Sequence, residues 1–425
     1  MRQVQKTIIL CLLALLCLAT SVVARAQVVL KVGIRDVLLF QEKHLVRAAE
    51  DFMKLNPHVK IELSTLTSDA IIVQTAAGVG PDVIAETATQ ALGLFNQGLL
   101  LELTDYTTAD DDFSESLFLP GMTSAYSDGK ARWSIPFNVL AWVTTYNGEY
   151  FAQAGLPLPQ VGPNWNWDTI RDYGKKLTIV DANGNTTRYG LMLGYNQVPA
   201  WPAWVPLTYQ AGGGLSGRHM NPTVINMKIS SVRAALDFMF SLWDTGMMAS
   251  TGGVTVRNGK AAINMTFTPR TADYWANYLG DHNKVGQIQQ PRGPVQDGWF
   301  VDAQGFGISA LSDKPDLAWQ FIKFLTLRPE SCYDLMVDGG RMSALRENTR
   351  YFSQEVNMTS KDAVLFAIGN PNNVTRPVFQ PGLLEMIDKE LAEVQAQRVS
   401  LEAALDNIQR MADAKLAEFF AEERK

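Results

Sequence analysis

The chain has 425 residues, 37 of them basic and 43 acidic, for a formal net charge of −6. That length accommodates two domains, and the acidic balance disfavours nucleic acid and anionic membranes as partners. No HExxH, P-loop, GxSxG or CxxC is present, and His44, His58, His219 and His282 lack metal-ligand spacing, so neither a cofactor nor a catalytic metal is expected.

Arg2 and Lys6 precede an uncharged apolar run from Ile8 to Val23, which ends in Ala24-Arg25-Ala26. This three-part pattern reads as a secretory signal peptide over residues 1–26. The run is short for a bilayer span of about 20 residues; the competing reading is an N-terminal anchor. A lipidated Cys17 fits less well, because Ala14-Leu15-Leu16 offers no small residue beside it. Cleavage removes Cys11 and Cys17, and the remaining Cys332, on an apolar helix, reads as a buried small hydrophobe. The expected destination is the periplasm.

Val28 to Ile34 reads as an apolar strand. Leu45, Ala48, Ala49, Phe52 and Leu55 then mark a helix stopped by Pro57. Val59 to Leu63 alternates as a half-buried strand and leads into a small-residue helix. The turn Gly78-Val79-Gly80-Pro81 precedes a short strand, and a helix follows that ends at Gly98. Strand and helix in alternation imply a parallel α/β sheet with covered faces. The middle of the chain holds all ten tryptophans, Trp133 to Trp319, among closely spaced Pro and Gly. Helices are expected over Trp167 to Leu177, over Ser231 to Thr245 and from Pro315. A pair of long amphipathic helices is expected from about Pro381 to the end.

Several landmarks follow one another in a distinctive order. They include Gly80-Pro81-Asp82-Val83-Ile84, Ile135-Pro136-Phe137-Asn138, Tyr146-Asn147-Gly148-Glu149-Tyr150-Phe151, Asn258-Gly259-Lys260-Ala261-Ala262-Ile263 and Gly305-Phe306-Gly307-Ile308-Ser309. Each is weak alone. In this order and spacing the chain resembles the family 1 extracellular solute-binding proteins, the group that contains maltose-binding protein and many sugar receptors of ABC importers. One departure is visible. Many members follow Gly-Lys-Ala-Ala with Met and then Gly-x-Trp, whereas here Ile263 and Thr266-Phe267-Thr268-Pro269-Arg270 follow.

The resemblance implies an α/β, two-lobed periplasmic-binding-protein fold whose lobes are joined by crossing strands. One lobe would comprise 27–137 plus 304–343 and the other 138–303 plus 344–425. Crossings are expected near Phe137-Asn138, near Trp299 to Gln304 and near Arg341 to Leu345. Ligands of open α/β sheets bind outside the strand ends, here in the crevice between the lobes. The implied partners are a carbohydrate-like small molecule and the permease subunits of an ABC importer, with the receptor a monomer.

A sugar presents apolar C–H faces and a rim of hydroxyls, so its pocket needs aromatic plates and planar polar groups. The aromatic candidates are Trp201, Trp204, Trp275 and Trp299, read as loop residues near the crevice; each is equally readable as core. Trp142, Trp243 and Trp319 read as core. The polar candidates are Asp36, after the first strand, Glu86, after the third, and Asn138 and Gln304 at crossings. Arg270 and Arg341 would bond a ligand or form inter-lobe ion pairs. A non-sugar solute (a polyamine, a polyol or a glycerol phosphate ester) remains open on the same fold, as does a glycan-acting enzyme with two carboxylates across the pocket.

Overall fold

The structure, a computed structural model, describes residues 27–35, 42–193, 199–216, 222–249, 252–267, 272–333, 336, 342–355, 361–375, 379–380 and 382–422. The signal-peptide segment, Asp36, Arg270 and Arg341 lie outside the described residues.

Among the described residues twelve strands form two sheets. They are β1 (Val28–Arg35), β2 (Val59–Leu66), β3 (Val83–Thr87), β4 (Ile135–Ala141), β5 (Val143–Asn147), β6 (Ile179–Val180), β7 (Thr186–Met192), β8 (Ala261–Phe267), β9 (Val285–Ile288), β10 (Phe300–Ile308), β11 (Met342–Ser343) and β12 (Val374–Thr375). The first sheet runs β11-β4-β10-β3-β1-β2, with β12 added to β10; the second runs β6-β7-β8-β5-β9.

β1 is parallel to both β2 and β3, because helices Glu42–Leu55 and Ser68–Ala76 return the chain between them. Leu45, Ala48, Ala49 and Phe52 of the first helix are buried as the periodicity requires, whereas Leu55 is exposed. Asp82 ties the turn after Pro81: it accepts the Lys31 amide at 2.8 Å and the Ser312 hydroxyl at 2.7 Å. Cys332 is fully buried, and burial pushes its thiol up to about 12.

Among the described residues two large apolar cores accompany the two sheets, with a small third cluster of Met192, Ala249, Val254, Val256 and Ala261. The first takes residues from Leu30 to Val143 and from Val301 to Ala367; the second takes Tyr146 to Phe300 and Phe379 to Leu416. Ala344, Leu345, Phe352, Val364 and Ala367 thus pack with the first sheet, beyond the expected division at 343.

The chain passes between the cores in three places. The first runs from Trp142 to Tyr146, where β4 leads almost directly into β5: Trp142 and Tyr146 pack with the second core and Val143 with the first. The second is the start of β10, where Phe300 packs in the second core and Val301 in the first. The third lies between Ala367 and Phe379. It does not fall near Arg341 to Leu345, because Met342 and Ser343 pair with Val139 and Asn138 of β4 inside the first sheet.

All ten tryptophans are described: eight are buried, and Trp142 and Trp201 are half-buried. Their abundance is therefore mainly core packing. Trp167 stacks on Phe238 at 4.3 Å and donates to Gln210 Oε1 at 2.7 Å. Gln210 in turn donates to the Pro291 and Gly298 carbonyls. Buried indoles need such acceptors.

Candidate functional site

β1 and β3 are parallel, so their C-terminal ends reach the same edge of the first sheet. Arg35 ends β1, and Glu86 and Thr87 end β3. The Arg35 Nε lies 3.1 Å from Glu86 Oε2, with both side chains largely buried. β10 enters beside β3 in the opposite direction and places Gln304 across from Thr87. On its other side Gln304 faces Asn138 of β4, and Asn138 faces Ser343 of β11. Four strands thus contribute one polar row, Thr87, Gln304, Asn138 and Ser343, with the Arg35–Glu86 pair beside it.

The row is built from non-local contacts. Asn138 Nδ2 donates to Gln304 Oε1 at 2.9 Å, and the Gln304 amide donates to Asn138 Oδ1 at 3.3 Å. These two side chains therefore latch the crossing strands to each other. The register shifts between Gln304 and Gly305, and only glycine fits there: a Cβ on Gly305 would lie 2.5 Å from the Ile135 carbonyl oxygen. Tyr126, fully buried, donates to the Ala303 carbonyl at 2.8 Å and to the Glu86 carbonyl at 3.2 Å. Its phenol is held well above the usual range by burial, then by the charges of Asp302 and Glu86. Two carboxylates, Asp302 and Glu86, therefore stand near the Tyr126 phenol, and carboxylates accept from hydroxyl donors.

Thr87 also stands at the N-cap of helix Ala88–Asn96 without making the side-chain cap bond. Its hydroxyl is buried and has no hydrogen-bond partner among the described residues. Buried polar atoms in that state are uncommon.

On the second-sheet side, Trp201 begins helix Trp201–Gln210 and lies 5.9 Å from the Phe300 ring. Trp204, one turn on, points inward instead: it is fully buried, and its indole donates to Asp388 Oδ1 at 2.8 Å. The other Asp388 oxygen accepts the Trp201 amide at 3.0 Å. Trp275 lies on helix Ala272–Leu279 and is buried. Trp299 directly precedes β10; it is buried, its amide bonds Asn373, and its indole N–H has no hydrogen-bond partner among the described residues.

Thus Trp201, Trp204 and Trp275 are helical where loops were expected. Pro202 is tolerated in the first turn of its helix, where an amide hydrogen has no partner to lose. The structure brings Glu86, Asn138 and Gln304 into one row and seats Trp204 in the core. Arg35 and Thr87 join the row, and Asp302 lies two positions from Gln304 on β10, without having been singled out in the sequence; Trp142, expected in the core, is half-buried. Arg35 and Thr87 each adjoin a residue that was.

Asp388 makes a pH prediction. Burial pushes its carboxyl up to about 6; the bonds from Trp204 and Trp201 offset part of this, and Glu385 adds to it. A carboxyl raised in the folded state favours folding below the unfolded value of about 4, and that contribution is lost as pH rises through about 6. Asp388→Asn should therefore gain about 1–3 kcal/mol relative to wild type between pH ~4 and ~7. Urea unfolding of both proteins across that range checks it; a constant difference would refute the assignment.

Among the described residues no cluster of three His, Cys, Asp or Glu side chains could hold a metal ion. No helix among them is long and apolar enough to cross a membrane.

Many solved structures share the fold, and three illustrate it. The ABC substrate-binding protein Lmo0181 from Listeria monocytogenes, in complex with cycloalternan, superposes with a TM-score of 0.76 at 19% identity, covering 92% of this chain and 99% of that one. The sugar-binding protein MalE from Xanthomonas citri gives 0.78 at 15% identity, covering 93% and 99%. The GacH receptor of Streptomyces glaucescens, studied with acarbose, gives 0.73 at 16% identity, covering 92% and 98%. Residues 42–329 match the family described as bacterial extracellular solute-binding protein. With the match spanning more than half its length, the chain belongs to the bacterial extracellular solute-binding proteins.

Proposed function

We propose that the protein is the receptor of an ABC importer for a carbohydrate, acting by binding and not by turnover. The observation that carries this reading is the buried polar row of Thr87, Gln304, Asn138 and Ser343 across β3, β10, β4 and β11, with the Arg35–Glu86 pair beside it where β1 and β3 end. The two cores act as lobes. A saccharide spans them, with its hydroxyls on Glu86, Arg35 and Thr87 and its apolar faces toward Trp201 and Trp142. Asp36, Arg270, Arg341 and Trp299 add to the same crevice. A ligand that touches both lobes gains contacts in the closed state and so shifts the population toward it. The closed form then docks on the permease. The chain is exported by cleavage after residue 26 and works as a periplasmic monomer.

Support comes from relatives of the same fold whose ligands are cycloalternan, tagatose, mannotriose and acarbose. Glu86 is engaged by Arg35, which disfavours a role for it as a catalytic acid. Thermal unfolding of the mature protein against saccharides, polyamines and sugar phosphates tests the reading. A saccharide at a hundredfold its Kd should add about 2.7 kcal/mol. A rise with polyamines or phosphate esters alone would keep the fold and overturn the ligand class.

A further inference from the structure

The second sheet carries a cavity of about 420 Å³ that the crossing does not share. Its wall includes Thr145 of β5, Met192 of β7, Asn264 and Thr266 of β8, Val256, and Trp275. We propose that this cavity is a separate pocket for one neutral hydroxylated ring, a monosaccharide or a cyclitol.

Four observations lead there. The volume lies in the range of small-molecule sites, roughly 300–1,000 Å³. Thr145 pairs with Asn264 on one side and Gln287 on the other, so the three side chains share one face of the sheet. Tyr146 and Ile263, which point the other way, lie in the second core. The Thr145 hydroxyl is fully buried and has no hydrogen-bond partner among the described residues; a group so placed is costly unless something bonds it. Asn264 Oδ1 accepts both the amide and the hydroxyl of Thr266, at 2.8 and 3.2 Å, which fixes the amide plane beside it.

The lining also sets the ligand's chemistry. Trp275, Met192 and Val256 form an apolar wall, and Thr145 and Thr266 offer hydroxyls. Arg257 is the one charged residue in the described lining, and it is exposed. A charge carried against the buried sheet face, lined by Thr145, Met192, Asn264, Thr266 and Trp275, would lack a partner there. An apolar face with a hydroxyl rim on a neutral ring fits such walls. Every described lining residue belongs to the second sheet or its attached segments, and none of Arg35, Glu86, Asn138 or Gln304 takes part. Occupancy therefore does not require the lobes to meet, and the proposal goes beyond the importer reading.

The test uses the mature chain with glucose, galactose, mannose and myo-inositol, read by thermal midpoint and equilibrium dialysis. At least one ring should raise the midpoint equally in wild type and in Glu86→Gln. Thr145→Val should weaken its binding tenfold or more, with an unliganded midpoint at or above wild type, since a partnerless hydroxyl is gone. Met192→Phe, which narrows the cavity, should weaken it likewise. The proposal is overturned if no ring acts on Glu86→Gln, or if Thr145→Val responds as wild type does. A response lost in Glu86→Gln but kept in Thr145→Val assigns the ring to the crossing. That outcome overturns this pocket and leaves the importer reading standing.

Discussion

Glu86→Ala should lower the stability of the protein by about 3–5 kcal/mol, because it strands the Arg35 guanidinium in a largely dehydrated setting. The loss is not the worth of the ion pair. It is the cost of one charge left buried without the other. The double replacement Arg35→Met/Glu86→Leu should therefore recover most of it, to within ~1–2 kcal/mol of wild type. Urea unfolding of the two single variants and the double variant closes the cycle. Equal losses in single and double variants would mean that the pair supports the sheet edge in some other way. Tyr126 should keep its hydrogen bonds, since it bonds the Glu86 and Ala303 main-chain carbonyls and neither side chain.

Trp204→Ala should cost a similar ~3–5 kcal/mol by opening a cavity in the second core. It also removes the indole donor from the half-buried Asp388. Trp204→Phe keeps much of the ring volume and should cost ~1–3 kcal/mol, chiefly for the lost donor. Trp201 gives the contrast. It is half-buried beside Phe300 at the junction of the cores, so Trp201→Ala should unfold close to wild type yet bind saccharide at least tenfold more weakly. If Trp204→Ala abolished binding while leaving the unfolding midpoint unchanged, the two tryptophans would have exchanged roles.

Local signals made much of the fold legible. Helix Trp167–Leu177 begins and ends where its apolar spacing places it, because Asn166 caps it with bonds to the Asp168 and Thr169 amides. β1 follows from its apolar run, β2 from alternation and β3 from the turn at Pro81. The tryptophans were harder. Pro202 and Pro206 make the stretch around Trp204 look like a loop, yet it is a helix whose inner face the second core covers. The polar row was legible only in fragments. Glu86, Asn138 and Gln304 were each singled out, but their meeting depends on β10 pairing between β3 and β4 across more than 160 residues of chain. No local periodicity encodes that pairing. For the same reason Arg35 was passed over: its significance is its level with Glu86, a property of the parallel register between β1 and β3. The third crossing, expected near Arg341 to Leu345, follows Ala367 instead, because β11 pairs with β4 inside the first sheet, a long-range pairing that no local pattern announces.

On the proposed reading, a saccharide is gripped at the Arg35–Glu86 end of the polar row. Calorimetric titration of the most stabilising saccharide into wild type and into Arg35→Met/Glu86→Leu tests it most directly. The double variant keeps the edge of the sheet packed while removing both charged groups. The prediction is a folded protein whose affinity falls at least a hundredfold. Unchanged affinity in that variant would contradict the claim and place the saccharide elsewhere on the molecule.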